Sequence, residues 1–208
     1  SFAFCLLSFV FRLLPFVFCL SSFVFCLLPF VYYLASMKIR KATTEDLESI
    51  NNIYNQVIPY EMSTADMVPY TMEERLKWYN DYDRSKYPVF VTEDNGNVTG
   101  YLSFSPYRPR RLAMRYTAEV SYFIDKKHRA KGIGSTLMEH AIAKAVDYRF
   151  KTLIAILLSH NENSIRLLKK YGFKEWGRMP GVADFNRQER DHLYYGLRLD
   201  KENISYEL

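Results

Sequence analysis

The chain has 208 residues, 49% of them hydrophobic and 25% charged, with 28 Lys and Arg against 23 Asp and Glu. That length holds one globular domain with a substantial core and little more, and that composition excludes a mainly disordered chain. The formal net charge of +5 is mild: it favours anionic ligands without demanding nucleic acid, and no nucleic-acid partner is expected.

The average hides a seam. Residues 1–36 hold all three cysteines (Cys5, Cys19, Cys26), nine of the 15 Phe and a single charge, Arg12. Cut in sevens they read SFAFCLL, SFVFRLL, PFVFCLS, SFVFCLL and PFVYYLA. A seven-residue period suggests a coiled coil, but every position is apolar and no polar face is left to meet water. The length suits a membrane span; Pro15, Pro29 and the lack of a basic flank stand against it, and a secretory signal lacks its basic start. The reading adopted is a translated upstream repeat preceding a true start at Met37, with a membrane anchor as the alternative. Residues 37–208 then form the domain, for which no membrane association is expected.

This second part carries 27 of the basic residues and all 23 acidic ones. It has no cysteine, hence no disulfide framework, thiol nucleophile or Cys-based metal site. His128, His140, His160 and His192 show no metal-ligand spacing and read as surface or satisfied histidines, so no metal is expected; His160 is set apart by its place beside Asn161. Nothing demands export, and the cytoplasm is the default compartment.

In chain order, residues 38–42 read as a short strand. Thr43-Thr44-Glu45-Asp46 then opens a helix over about 45–57, with Leu47, Ile50, Tyr54 and Val57 at helical spacing. A loop runs from Pro59 to Pro69, and Thr71-Met72-Glu73-Glu74 is a capping box for a second helix to about Tyr82. Residues 89–92 and 98–105 flank Asp94-Asn95-Gly96-Asn97, the signature of a tight hairpin. A basic loop (Tyr107 to Arg111) leads to a strand over 116–124. A helix over 134–149, a buried strand over 152–158, a helix over 161–171 and two closing strands (173–179 and 193–199) complete the domain. The order β-α-α-β-β-β-α-β-α-β-β implies an α/β (α+β) domain with a mixed, mostly antiparallel central sheet.

The sharpest local signal is the segment Asp125 to Ser135, DKKHRAKGIGS, between a strand and an amphipathic helix. Gly132 and Gly134 permit a tight turn and close backbone approach, and the helix begins with free N–H groups facing back at the turn. With its basic side chains this is an anion cradle suited to a pyrophosphate. It is neither a Walker loop, which needs Gly-Lys-Ser/Thr, nor a dinucleotide fingerprint, which needs a third glycine.

Arg129-x-x-Gly132-x-Gly134 resembles the acyl-CoA motif of the GNAT N-acetyltransferases. Asn161-Glu162-Asn163-Ser164, followed by Tyr171-Gly172-Phe173, resembles the family's later helix. Tyr116-Thr117-Ala118-Glu119-Val120-Ser121 and the tail from Pro180 to Asp191 resemble the phosphinothricin and methionine-sulfoximine acetyltransferase branch. The resemblance covers residues 37 to about 200 and implies the GNAT fold, acetyl-CoA as cosubstrate, a small-molecule amine such as an amino acid as acceptor, and a homodimer.

It also implies roles. Tyr122, Phe123 and Ile124 would hydrogen-bond the pantetheine arm between splayed strands. The amides of Arg129, Ala130, Lys131, Gly132, Ile133, Gly134 and Ser135 would hold the pyrophosphate, with Asn161 and Ser164 also on the cofactor. A backbone N–H near Phe123 would polarise the thioester carbonyl. Glu119 would be the general base for direct attack by the amine, the alternative being a strand Glu paired with a nearby Arg. Arg115, Tyr116 and Thr117 are assigned to the acceptor. Arg108, Arg110 and Arg111 either form a solvated loop or hold an acceptor carboxylate.

Two departures stand out. Leu168 occupies the position where many of these enzymes carry a proton-donating Tyr, which leaves the acid to water, Tyr194 or Tyr195. By count, Asn186 or a neighbour stands where the branch has a histidine. The alternatives are a GNAT enzyme acting on a polyamine, antibiotic or peptide amine, and a non-catalytic acyl-CoA-binding module.

Overall fold

The computed structural model describes residues 37–60 and 63–199; the repeat of residues 1–36 lies outside the described residues. Seven strands form one sheet: β1 (Lys38–Lys41), β2 (Val89–Asp94), β3 (Asn97–Pro106), β4 (Thr117–Ile124), β5 (Thr152–Leu158), β6 (Lys174–Phe185) and β7 (Gln188–Arg198). Their spatial order is β1-β2-β3-β4-β5-β7-β6. β2–β3, β3–β4, β5–β7 and β6–β7 pair antiparallel, and β4–β5 pair in parallel. Among the described residues four α-helices, α1 (Leu47–Asn55), α2 (Met72–Asn80), α3 (Ile133–Asp147) and α4 (Glu162–Lys170), complete the expected element order.

Strand alternation divides the sheet between two layers. On one face, Leu47, Ile50 and Ile53 of α1 pack with Val89, Val91 and Tyr101. On the other, α3 buries Ile133, Leu137, Met138, Ala141 and Ala145, and its His140 ring lies edge-on to Phe90 at 4.6 Å.

Boundaries differ from expectation in two places. The first helix opens with a 3₁₀ turn (Thr44–Asp46) before α1. Asp46 is committed there, since its carboxylate accepts from the Thr43 amide (2.8 Å) and from Arg40 (2.7 and 2.8 Å). The closing strands are much longer than read, because the stretch expected as a tail loop is a continuous β6–β7 hairpin turning at Asn186-Arg187. Both turn residues have positive φ (52° and 77°) without a glycine, so the usual turn signal is absent.

Candidate active site

The site begins where one ladder stops. β4 and β5 pair only at Thr117↔Thr152, Ala118↔Leu153 and Glu119↔Ile154. Beyond Glu119 the β5-facing edge of β4 leaves the ladder, while its other edge stays paired to β3 as far as Ile124↔Gly100. Parallel strands that part in this way leave backbone donors and acceptors to be met by a ligand.

A groove of about 470 Å³ opens at this notch. Its walls include Tyr122, Phe123 and Ile124 from β4, then Arg129, Ala130, Gly132, Ile133, Gly134 and Ser135 from the following turn, and Asn161 and Ser164 at the start of α4. Every residue expected to hold the cofactor therefore lines a single groove except Lys131, whose side chain is exposed outside it.

The turn is built for close approach. Gly132 caps α3 in the left-handed conformation (φ 82°) with no side-chain cap, leaving the first-turn amides for a ligand. A Cβ on Gly134 would sit 3.2 Å from both Ile124 Cδ1 and Leu167 Cδ2. Asn161 is buried, and its side-chain oxygen accepts from the Ser164 amide (3.2 Å), which fixes the start of α4. The Tyr122 hydroxyl is buried beside Ser164; burial raises its pKa, and the Ser164 side chain partly offsets the rise. A groove with free helix-start amides, basic flanks and an unpaired strand edge fits an acyl-CoA.

On the opposite side of the notch lies a second cavity, about 370 Å³. The two share Ser63, Ser121, Phe123, Ile156 and Leu157, so they meet across the parted strands. Ser103, Ser105, Glu119 and Ser121 supply polar groups from β3 and β4, where Ser105 is the cross-strand neighbour of Glu119. The walls are aromatic: Tyr54, Tyr70, Trp78, Tyr82 and Tyr101. Glu119 is half-buried, and burial alone pushes its carboxyl pKa up. No described cation pairs with it, so the expected alternative of a strand Glu bound to an Arg is not what this geometry forms.

Several expected residues fall elsewhere. Arg115, Tyr116 and Thr117 line neither cavity, because they come before the notch: Arg115 and Tyr116 precede β4, and Thr117 is still laddered to Thr152 of β5. Arg115 stacks over Tyr116 at 4.5 Å and donates to the Leu112 carbonyl. The basic loop residues Arg108, Arg110 and Arg111 are likewise outside the cavities. Asn186 sits at the hairpin turn. The histidine that does line the second cavity is His192, read from sequence as a surface or satisfied residue; burial lowers its pKa, favouring the neutral ring. His160 lines neither. Tyr195 is buried, with its hydroxyl donating to Glu175 (3.3 Å), and Leu168 is buried on the groove side of α4.

Sequence reading missed Arg75, Arg84 and Trp78. The available signal was α2 itself: a short, polar helix whose one buried residue is Arg75. Among the described residues no group of His, Cys, Asp and Glu is placed to hold a metal, and no helix is long and apolar enough to cross a membrane.

Residues 48–173 match the acetyltransferase (GNAT) family, and the chain belongs to it. It is an acetyl-CoA-dependent N-acetyltransferase by that membership. YwnH of Bacillus subtilis, provisionally named for phosphinothricin acetylation, is 40% identical over 164 residues, which span 78% of this chain and 99% of that protein. The L-methionine sulfoximine/L-methionine sulfone acetyltransferase of Salmonella typhimurium is 33% identical over 79% of this chain and 96% of its own. Among solved structures, a phosphinothricin acetyltransferase from Sinorhizobium meliloti in complex with acetyl-CoA superposes with a TM-score of 0.73 at 26% identity, covering 78% of this chain and 88% of that one.

Proposed function

We propose that this chain acetylates the amine of a small amino acid or analogue, with Glu119 as general base. The observation that carries the reading is the place of Glu119 in the second cavity, which shares Ser121 and Phe123 with the groove: it is an unpaired carboxylate whose pKa is raised by burial. A base of raised pKa keeps more affinity for the proton that the attacking amine sheds. The relatives named for methionine sulfoximine and phosphinothricin support an amino-acid acceptor.

Acetyl-CoA supplies the acetyl group as an activated thioester. The edge of Tyr122 to Ile124 would hold the pantetheine arm, the amides of residues 129–135 the pyrophosphate, and Asn161 the start of α4 against it. The backbone N–H groups near Phe123 would orient and polarise the reacting carbonyl. Glu119 would receive the amine's proton, and the aromatic walls would exclude water.

Acetyl-CoA supply makes the cytoplasm the site of action. A homodimer is the assembly that the resemblance to the phosphinothricin and methionine-sulfoximine branch implies. The test is thiol release from acetyl-CoA over a panel of amino acids, L-methionine sulfone, phosphinothricin and polyamines. Turnover confined to the amino-acid group is expected; turnover of polyamines alone would refute the acceptor class.

A further inference from the structure

Two arginines line the second cavity, and one of them is spent. Arg84 donates from all three nitrogen positions to the backbone carbonyls of Trp78, Tyr79 and Tyr87. Arg75 is different. It is 2% exposed and lines the acceptor cavity. Among the described residues its guanidinium makes one hydrogen bond, from Nε to the Asn51 side-chain oxygen (3.1 Å), and Nη2 has no partner.

The guanidinium lies 4.7, 4.8 and 4.9 Å from the ring centroids of Tyr54, Tyr70 and Trp78. Ring faces attract a cation but do not satisfy its N–H donors. No described carboxylate forms an ion pair with it. An arginine stays charged at physiological pH, and a buried charge without a counter-ion is costly. Asn51 is itself fixed by donating to the Tyr70 carbonyl (2.9 Å), so the cation is held in a pre-formed place. A structural arginine would spend its donors on the protein, as Arg84 does.

From this we infer that Arg75 is the specificity-determining residue that receives the carboxylate of the acceptor amino acid, by charge-assisted hydrogen bonds inside the aromatic box. The cavity then carries complementary charges for a zwitterion: Arg75 for the carboxylate and Glu119 for the amine. The assignment rests on the acceptor reading above. It differs from the sequence expectation, which sought the carboxylate partner on the loop of Arg108 to Arg111.

The test is calorimetric binding of N-acetyl-L-methionine sulfone and its carboxamide, neither of which can be acetylated again, to the full chain and to Arg75→Gln and Arg75→Lys. The parent is expected to bind the acid at least tenfold more tightly than the amide. Arg75→Gln should lose that preference while acetyl-CoA affinity is unchanged, and Arg75→Lys should restore part of it. Equal binding of acid and amide by the parent, or a preference retained by Arg75→Gln, overturns the assignment; the parent comparison decides even if a variant fails to fold. A preference for the acid together with no thiol release on any amino acid would overturn the proposed activity alone.

Discussion

Glu119 and Ile154 form the last rung of the β4–β5 ladder, so the carboxylate stands at the point where two parallel strands part. That relationship joins the two halves of the site. The groove on one side takes its walls from a contiguous turn and a helix start, and the cavity on the other collects side chains from α1, α2, β3 and β7. An amine entering from one side and a thioester from the other would meet beside a single carboxylate.

The raised pKa of Glu119 has a kinetic consequence. Its basic form is present only above that pKa, so kcat should rise along an acidic limb whose midpoint lies above the ordinary glutamate value of 4.5. A pH–rate profile at saturating acceptor checks this, and Glu119→Gln should lack the limb. Stability responds in the opposite sense: a carboxyl whose folded pKa is raised contributes stability below its unfolded pKa and loses it as pH rises through the folded value. Glu119→Gln is therefore expected to melt above the parent at pH 7 and level with it near pH 3.

The groove floor gives a second prediction. Valine at position 134 adds methyl groups where even a Cβ is 3.2 Å from Ile124 and Leu167. Overpacking of this kind costs about 1–3 kcal/mol. Gly134→Val should raise the KM for acetyl-CoA by roughly tenfold with a smaller effect on the acceptor KM, measured by varying each substrate in turn.

His140 offers a test remote from the site. Its Nε2 is buried without a hydrogen-bond partner and its ring lies against Phe90, while burial, reinforced by Lys144, lowers its pKa. A histidine with a depressed folded pKa contributes stability above its unfolded pKa that is lost as pH falls through the folded value. His140→Leu removes both the unpartnered buried nitrogen and that loss. Relief of about 1 kcal/mol should raise Tm by roughly 3 °C at pH 7, and by more at pH 5, in a pair of thermal melts.

The groove was legible in the sequence because it is local: Arg129 to Ser135 and Asn161 sit in short motifs at one turn and one helix start. Lys131, expected there for its amide, is exposed and is not among the residues lining the groove. The acceptor cavity was not legible, because Tyr54, Arg75, Ser105 and His192 come from separate elements and none carries a motif. Periodicity assigned Tyr54 to the core face of α1, and it does pack there, yet it also walls the cavity. The β6–β7 hairpin was read short for another reason. Much of β6 is exposed, so hydrophobic alternation is weak, and a turn at Asn186-Arg187 shows no glycine.

The most direct measurement is steady-state thiol release from acetyl-CoA with L-methionine sulfone by the parent chain and by Glu119→Gln at pH 7.5. Loss of a positioned base predicts a fall in kcat of about 10²-fold or more, with acetyl-CoA binding unchanged. A Glu119→Gln enzyme that kept near-full turnover would contradict the account, because the unpaired carboxylate at the end of the β4–β5 ladder would then have no part in the reaction.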